Sequence, residues 1–261
     1  MCMCKAFSCL IHKNKTVTWK FGVDSYDDLI KLAGYKDDKS DAHDLQFARV
    51  EISPKNDDYI NPDAIYLFRL DEKIKPSWWS DSYENKCWDA QVKWLAELDK
   101  ILIRKPIVNP FDITPPTTIT EEHIALLREW ASVRDSVGAS VWDSVRASVW
   151  ASVWDSVRAS VRDSVRDSVR ASVWDSVWAS ARAYVRASVW DSVWAFVGAY
   201  LGSFFNLPRA EWKYTEHIKT PDYPFAMAIR LWELGLVPSF DGTIWRLHGG
   251  KMAAILWEGK L

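Results

Sequence analysis

The sequence predicts an α+β protein in which small mixed terminal domains flank a tetrapeptide-repeat β-solenoid. Three observations lead there. The first segments alternate apolar and polar residues as strands do. A helical stripe at residues 82–104 is followed by a proline-rich stretch. From Ala131 to Gly202 the chain is a tandem array of 18 four-residue units.

The N-terminal strands come first. Residues 5–12 and 16–21 alternate around a Lys13-Asn14-Lys15 turn, a hairpin signal. Ser25, Asp27 and Asp28 open a short helix that Gly34 closes. Residues 45–53 and 65–70 read as two further strands, giving β-β-α-β-β. Ser82 caps the next helix, with Trp88, Val92, Leu95, Leu98 and Leu102 on one stripe. Pro106 ends it. Residues 1–104 therefore form an α+β domain ending in an amphipathic helix. Residues 105–117, with Pro106, Pro110, Pro115 and Pro116, form an extended linker.

A capping box, Thr118-x-x-Glu121, starts a helix that leads into the array. Each unit has the form [Ala/Asp]-Ser-Val-[Trp/Arg/Gly]. The third position is Val in 16 units, while the fourth is Arg eight times, Trp seven times and Gly three times. A position that holds one apolar residue reads as inside, and one that drifts among Trp, Arg and Gly reads as outside. On an α-helix each Val would lie about 40° beyond the last, so no fixed face would stay buried along the array. A β-solenoid, with one unit per short side and Val inward, removes that difficulty, and Gly at position four, always at a unit boundary, favours a turn there. The pattern is similar to the pentapeptide-repeat β-solenoids over residues 131–202, with a unit one residue shorter and Asp where that family prefers a small inward residue. The resemblance implies stacked coils with the central apolar residue inside. A long α-helical repeat segment is the alternative, because neither Pro nor Gly separates the preceding helix from the first unit. Residues 118–205 are taken as the capped array, with Phe196, Tyr200, Leu201, Phe204 and Phe205 as its C-terminal cap.

Residues 206–261 predict a helix over Phe225–Leu234, a hairpin turning at Asp241-Gly242, and a last apolar stretch, together packing on the N-terminal domain.

Composition limits function. Lys plus Arg (33) nearly balances Asp plus Glu (35), which excludes a polybasic nucleic-acid binder and an acidic-tail protein. Cys2, Cys4, Cys9 and Cys87 form neither a C-x-x-C pair nor a disulfide framework, and they read as reduced thiols. No export signal or membrane-length apolar run is visible, so a cytoplasmic location is expected. Ser239, Asp241 and His248 have the residue types of a hydrolase triad, but no nucleophile elbow surrounds Ser239 and Asp241-Gly242 is a turn. Neither a metal nor a cofactor is expected.

The remaining candidate is the ladder at position four: Trp142, Arg146, Trp150, Trp154, Arg158, Arg162, Arg166, Arg170, Trp174, Trp178, Trp190 and Trp194. Indole and guanidinium groups recur at binding surfaces because both offer a large flat face. Exposed Trp in this number exceeds what an unpartnered surface carries. The expected function is a non-enzymatic interaction or scaffold protein with a protein partner or self-association. The alternatives are a nucleic-acid binder or nucleic-acid-mimicking inhibitor, and an enzyme whose site lies in the terminal domains.

Overall fold

The described residues form five α-helices and two small antiparallel sheets, a mixed α+β architecture. The computed structural model describes residues 7–35, 46–55, 60–148 and 186–261, with the backbone alone described at 142, 145–148 and 186–190. The described residues divide into two units, one up to Arg104 and one from Lys105 onward.

In the first unit β1 (Phe7–His12) and β2 (Val17–Thr18) form the N-terminal hairpin, whose turn places Lys15 at φ 67°. After α1 (Tyr26–Leu32), β3 (Phe47–Pro54) and β4 (Tyr66–Leu70) complete a sheet of order β2-β1-β3-β4. Every residue of β1 is buried, because both faces of the strand are covered. Leu10 packs with Leu29, Ile30 and Phe47 beneath α1. On the opposite face Phe7 meets Trp94 of α2 (Asp81–Leu98), their ring centroids 6.0 Å apart. Cys9 and Cys87 are both free and buried. Burial pushes the Cys9 thiol up, and its hydrogen bond with Cys87 adds to the shift.

The helix at 81–98 buries a different stripe from the one expected. Its inner face is Tyr83, Cys87, Ala90, Gln91, Trp94 and Leu98, whereas Val92 is 62% exposed. The inner spacing is helical, with Cys87, Ala90 and Gln91 set among Tyr83, Trp94 and Leu98, the last of which belongs to both stripes.

The array requires the main correction. Its described ends are α-helical, not β-solenoid: α3 (Glu121–Ser148) runs through the first four units, and α4 (Arg186–Gly202) covers the last four. The central units lie outside the described residues. The expectation failed on two assumptions. One was that the buried face must always be Val. On α3 the buried residues Leu126, Trp130, Val133, Val137, Ser140 and Ser144 are spaced alternately by four and three. That is a seam of 3.5 residues, while the repeat advances by four. The seam therefore slides from the third position alone, Val133 and Val137, to include the second, Ser140 and Ser144, beside Val141, which stays buried. Helical packing accepts the slide because serine is small. The other assumption was that Gly at position four marks a turn. Gly198 and Gly202 instead lie inside α4.

The helix start is also displaced from the expected capping box. The Thr120 backbone N–H donates to His123 Nδ1 at 2.9 Å, so His123 does at the third helical position what Glu or Gln does in the usual box.

The second unit is completed by α5 (Ala226–Glu233) and a sheet of order β5-β6-β7, comprising β5 (Val237–Phe240), β6 (Trp245–Gly249) and β7 (Ala254–Gly259). Gly235 at φ 68° ends α5, and Gly242 at φ 95° turns the hairpin. The described ends of the array share one core with the C-terminal segment. Trp232 of α5 stacks on Tyr200 with centroids 3.8 Å apart and planes 1° from parallel, and Phe196 packs on it at 5.4 Å. Trp130 meets Phe196 edge-on at 5.6 Å. The aromatic departures from serine at position two, Phe196 and Tyr200, are thus the residues that join α4 to α5.

Serine at position two has a second role here. Ser144 Oγ accepts the Lys213 backbone N–H at 2.8 Å, and Ser192 Oγ accepts that of Phe240 at 3.0 Å. Each hydroxyl satisfies a backbone donor of the C-terminal segment.

Gly202 yields a direct prediction. A methyl group there would strike the Tyr223 hydroxyl, which donates to the Ala199 carbonyl at 2.5 Å, and would sit 3.1 Å from Val141 Cγ2. Gly202→Ala is expected to destabilise the protein by about 1–3 kcal/mol despite alanine's better helix propensity. Gly138→Ala, with nothing within 4 Å of the added carbon, is expected to be neutral or stabilising. Urea unfolding of the two variants beside the parent checks the pair.

Candidate functional site

α3 and α4 leave a groove between them of about 230 Å³. Its floor is built from the repeat's inward residues, Val137 and Val141 on α3 with Val197 and Leu201 on α4. Gly138 and Gly198, both at position four, contribute no side chain, so the groove stays open where Trp or Arg would have filled it. The rim is polar and aromatic: Arg134 and Asp135 on one side, Asp191 and Trp194 on the other. Asp191 and Trp194 are three residues apart and so share a helix face. Trp194 is 40% exposed. The Asp135 side chain is 90% exposed.

Arg134 shows how a position-four arginine behaves when an aromatic surface is near. Its guanidinium carbon lies 4.5 Å from the Phe240 ring centroid and 5.0 Å from that of Trp245. Those two rings are themselves stacked at 4.8 Å. Its Nε also donates to Asp135 Oδ1 at 3.1 Å. The planar cation thus combines ring stacking with a carboxylate partner, a combination lysine cannot reproduce.

Of the residues expected to bind, Trp142 and Arg146 lie on α3 and Trp190 and Trp194 on α4; only the Trp194 side chain is among those described, and it stands on the groove rim. Trp150, Trp154, Arg158, Arg162, Arg166, Arg170, Trp174 and Trp178 lie outside the described residues. Arg134, Asp135, Asp191 and the two glycines were not among the expected binding residues. The sequence signal for the glycines is their place in the ladder: a missing side chain at position four opens the helix surface there.

The triad-like residues resolve into structure. Ser239 Oγ–H donates to His248 Nε2 at 2.7 Å, and His248 Nδ1–H faces the Ala253 carbonyl at 3.2 Å. Asp241 is not part of this pair. Its carboxylate accepts the Thr243 and Ile244 backbone N–H groups and an Arg246 N–H, which fixes the hairpin turn. Ser239 and His248 are each 1% exposed, so no substrate atom reaches them. Burial depresses the His248 pKa to about 4, keeping the ring neutral. Trp78 and Trp79 pack with Tyr83, at 4.9 Å and 6.1 Å between centroids, as half-buried core of the first unit.

Among the described residues no three His, Cys, Asp or Glu side chains converge as a metal site, and no helix is long and apolar enough to cross a membrane. No protein-family model, curated protein or solved structure matches the chain.

Proposed function

We propose that this is a non-enzymatic interaction protein whose tetrapeptide array presents Trp and Arg to a protein partner. The observation that carries the reading is the α3–α4 groove, an apolar floor with Asp135, Asp191 and Trp194 on its rim, made from the repeat units themselves. The C-terminal segment supplies the core against which the described array helices pack. The Ser239–His248 pair is sealed from solvent. Nucleic acid is the less favoured partner, because eight Arg are offset by seven Asp within the array.

The test is calorimetric titration of the full chain with a synthetic peptide of four Ala-Ser-Val-Arg units, with the same peptide carrying Gly at position four, and with a DNA duplex. The expected result is that the arginine peptide binds and the glycine peptide does not. Binding of DNA alone, weakening steeply with salt, would replace this reading by the nucleic-acid one.

A further inference from the structure

The groove is too small for a whole helix and below the size of sites for drug-like ligands. It suits one long side chain. Its walls define which one: Val197 and Leu201 offer an apolar bed for a methylene stem, Trp194 an indole face, and Asp191 a carboxylate for a cation, Asp135 being paired already with Arg134. A long stem under a flat, charged, stacking head group describes arginine.

We propose that the groove holds an arginine side chain from position four of the array of a second copy of this chain. The inference rests on the reading of the array as an interaction surface, and it names the partner. Three observations favour a second copy. The groove is assembled from repeat units, and the same repeat supplies eight arginines and seven aspartates, so the array is close to charge-complementary to itself. Within one chain Arg134 already makes the same combination of contacts, a guanidinium over the Phe240 and Trp245 rings with a carboxylate beside it. The near-neutral array lacks the excess of one sign that would steer it to a strongly charged partner. Each copy carries both ligand and receptor, so the contact closes as a reciprocal dimer or continues as a chain of copies.

Sedimentation velocity of the full-length chain, from micromolar to several hundred micromolar, tests this. The expected result is concentration-dependent association that is weakened at least about tenfold by Asp191→Asn combined with Trp194→Ala. Asp222→Asn, an equal charge change at an exposed position outside the groove, is expected to leave it unchanged. Matching circular dichroism spectra of the variants keep folding apart from association. A chain that stays monomeric throughout, or association indifferent to the double variant, overturns the proposal. If the arginine peptide binds while the chain stays monomeric, the second copy is the wrong occupant and the interaction reading stands. Failure of both peptide binding and self-association removes both.

Discussion

Trp232→Ala is expected to destabilise the second unit by about 3–5 kcal/mol, the upper range for a buried aromatic. The indole is 1% exposed and lies face to face with Tyr200 at 3.8 Å, with Phe196 beside it. Its Nε1–H donates to the Val108 carbonyl at 2.9 Å. Truncation would open a cavity where α3, α4 and α5 meet, remove the stacking and leave that carbonyl without its donor. Trp232→Phe retains a ring and is expected to lose roughly half as much. Urea unfolding followed by far-ultraviolet circular dichroism measures both. A loss below about 1 kcal/mol for the alanine variant would mean that the array helices are not held by this core.

Acid is expected to weaken the same unit through His248. Burial lowers its pKa to about 4 from the ordinary 6.5, while the Ala253 carbonyl opposes the shift and Arg246 adds to it. A folded-state value below the unfolded one means that the folded protein favours the neutral ring. The resulting stability is complete above pH 6.5 and is lost as pH falls from there through about 4. The difference corresponds to about 3 kcal/mol. His248→Gln removes the titrating group, so the parent is expected to lose about 3 kcal/mol more than the variant between pH 7.5 and pH 4. Parallel losses in the two proteins would show that burial does not hold the ring neutral. Asp241 acts at lower pH. Its pKa lies below the ordinary 3.8 because the Ile244 and Thr243 N–H groups and Arg246 outweigh the effect of burial, so its contribution disappears only as pH falls below that range.

Local chemistry was legible at turns and helix C-termini, but not at the starts of α2 and α3, where Ser80 rather than Ser82 and Thr120 rather than Thr118 precede the first turn. The turn at Lys13-Asn14-Lys15, the helix ends at Gly34 and Gly235, and the Asp241-Gly242 hairpin follow from turn and cap preferences, and all four occur. The buried face of α2 was not legible, because size and hydrophobicity pointed to Trp88, Val92 and Leu95 while the sheet selected the smaller Cys87 and Ala90. The array was misread for a related reason. A constant Val implied a constant interior, but a helical seam of 3.5 residues moving along a repeat of four draws on Val at 133 and 137 and on Ser at 140 and 144. The pattern assigned serine no contact, whereas Ser144 and Ser192 accept backbone hydrogen bonds from Lys213 and Phe240, residues distant in sequence.

The groove was beyond reach of sequence patterns for the same physical reason. It exists only because α3 and α4, from opposite ends of the array, pack side by side with glycine at 138 and 198. Nothing in the spacing of Asp135 and Asp191 relates them. The Trp and Arg at position four were recognised as surface residues, but the aspartates at position one were not among the expected binding residues.

The central claim is that the groove recognises arginine. It is tested most directly by labelling the chain with 5-fluorotryptophan, assigning the Trp194 and Trp232 resonances by substitution, and titrating with the Ala-Ser-Val-Arg peptide. The account predicts a saturable shift of the Trp194 resonance at the rim, an unmoved Trp232 resonance in the core, and no response to the glycine-substituted peptide. An unchanged Trp194 resonance under conditions where calorimetry detects peptide binding would contradict it, because the peptide would then be bound away from the groove.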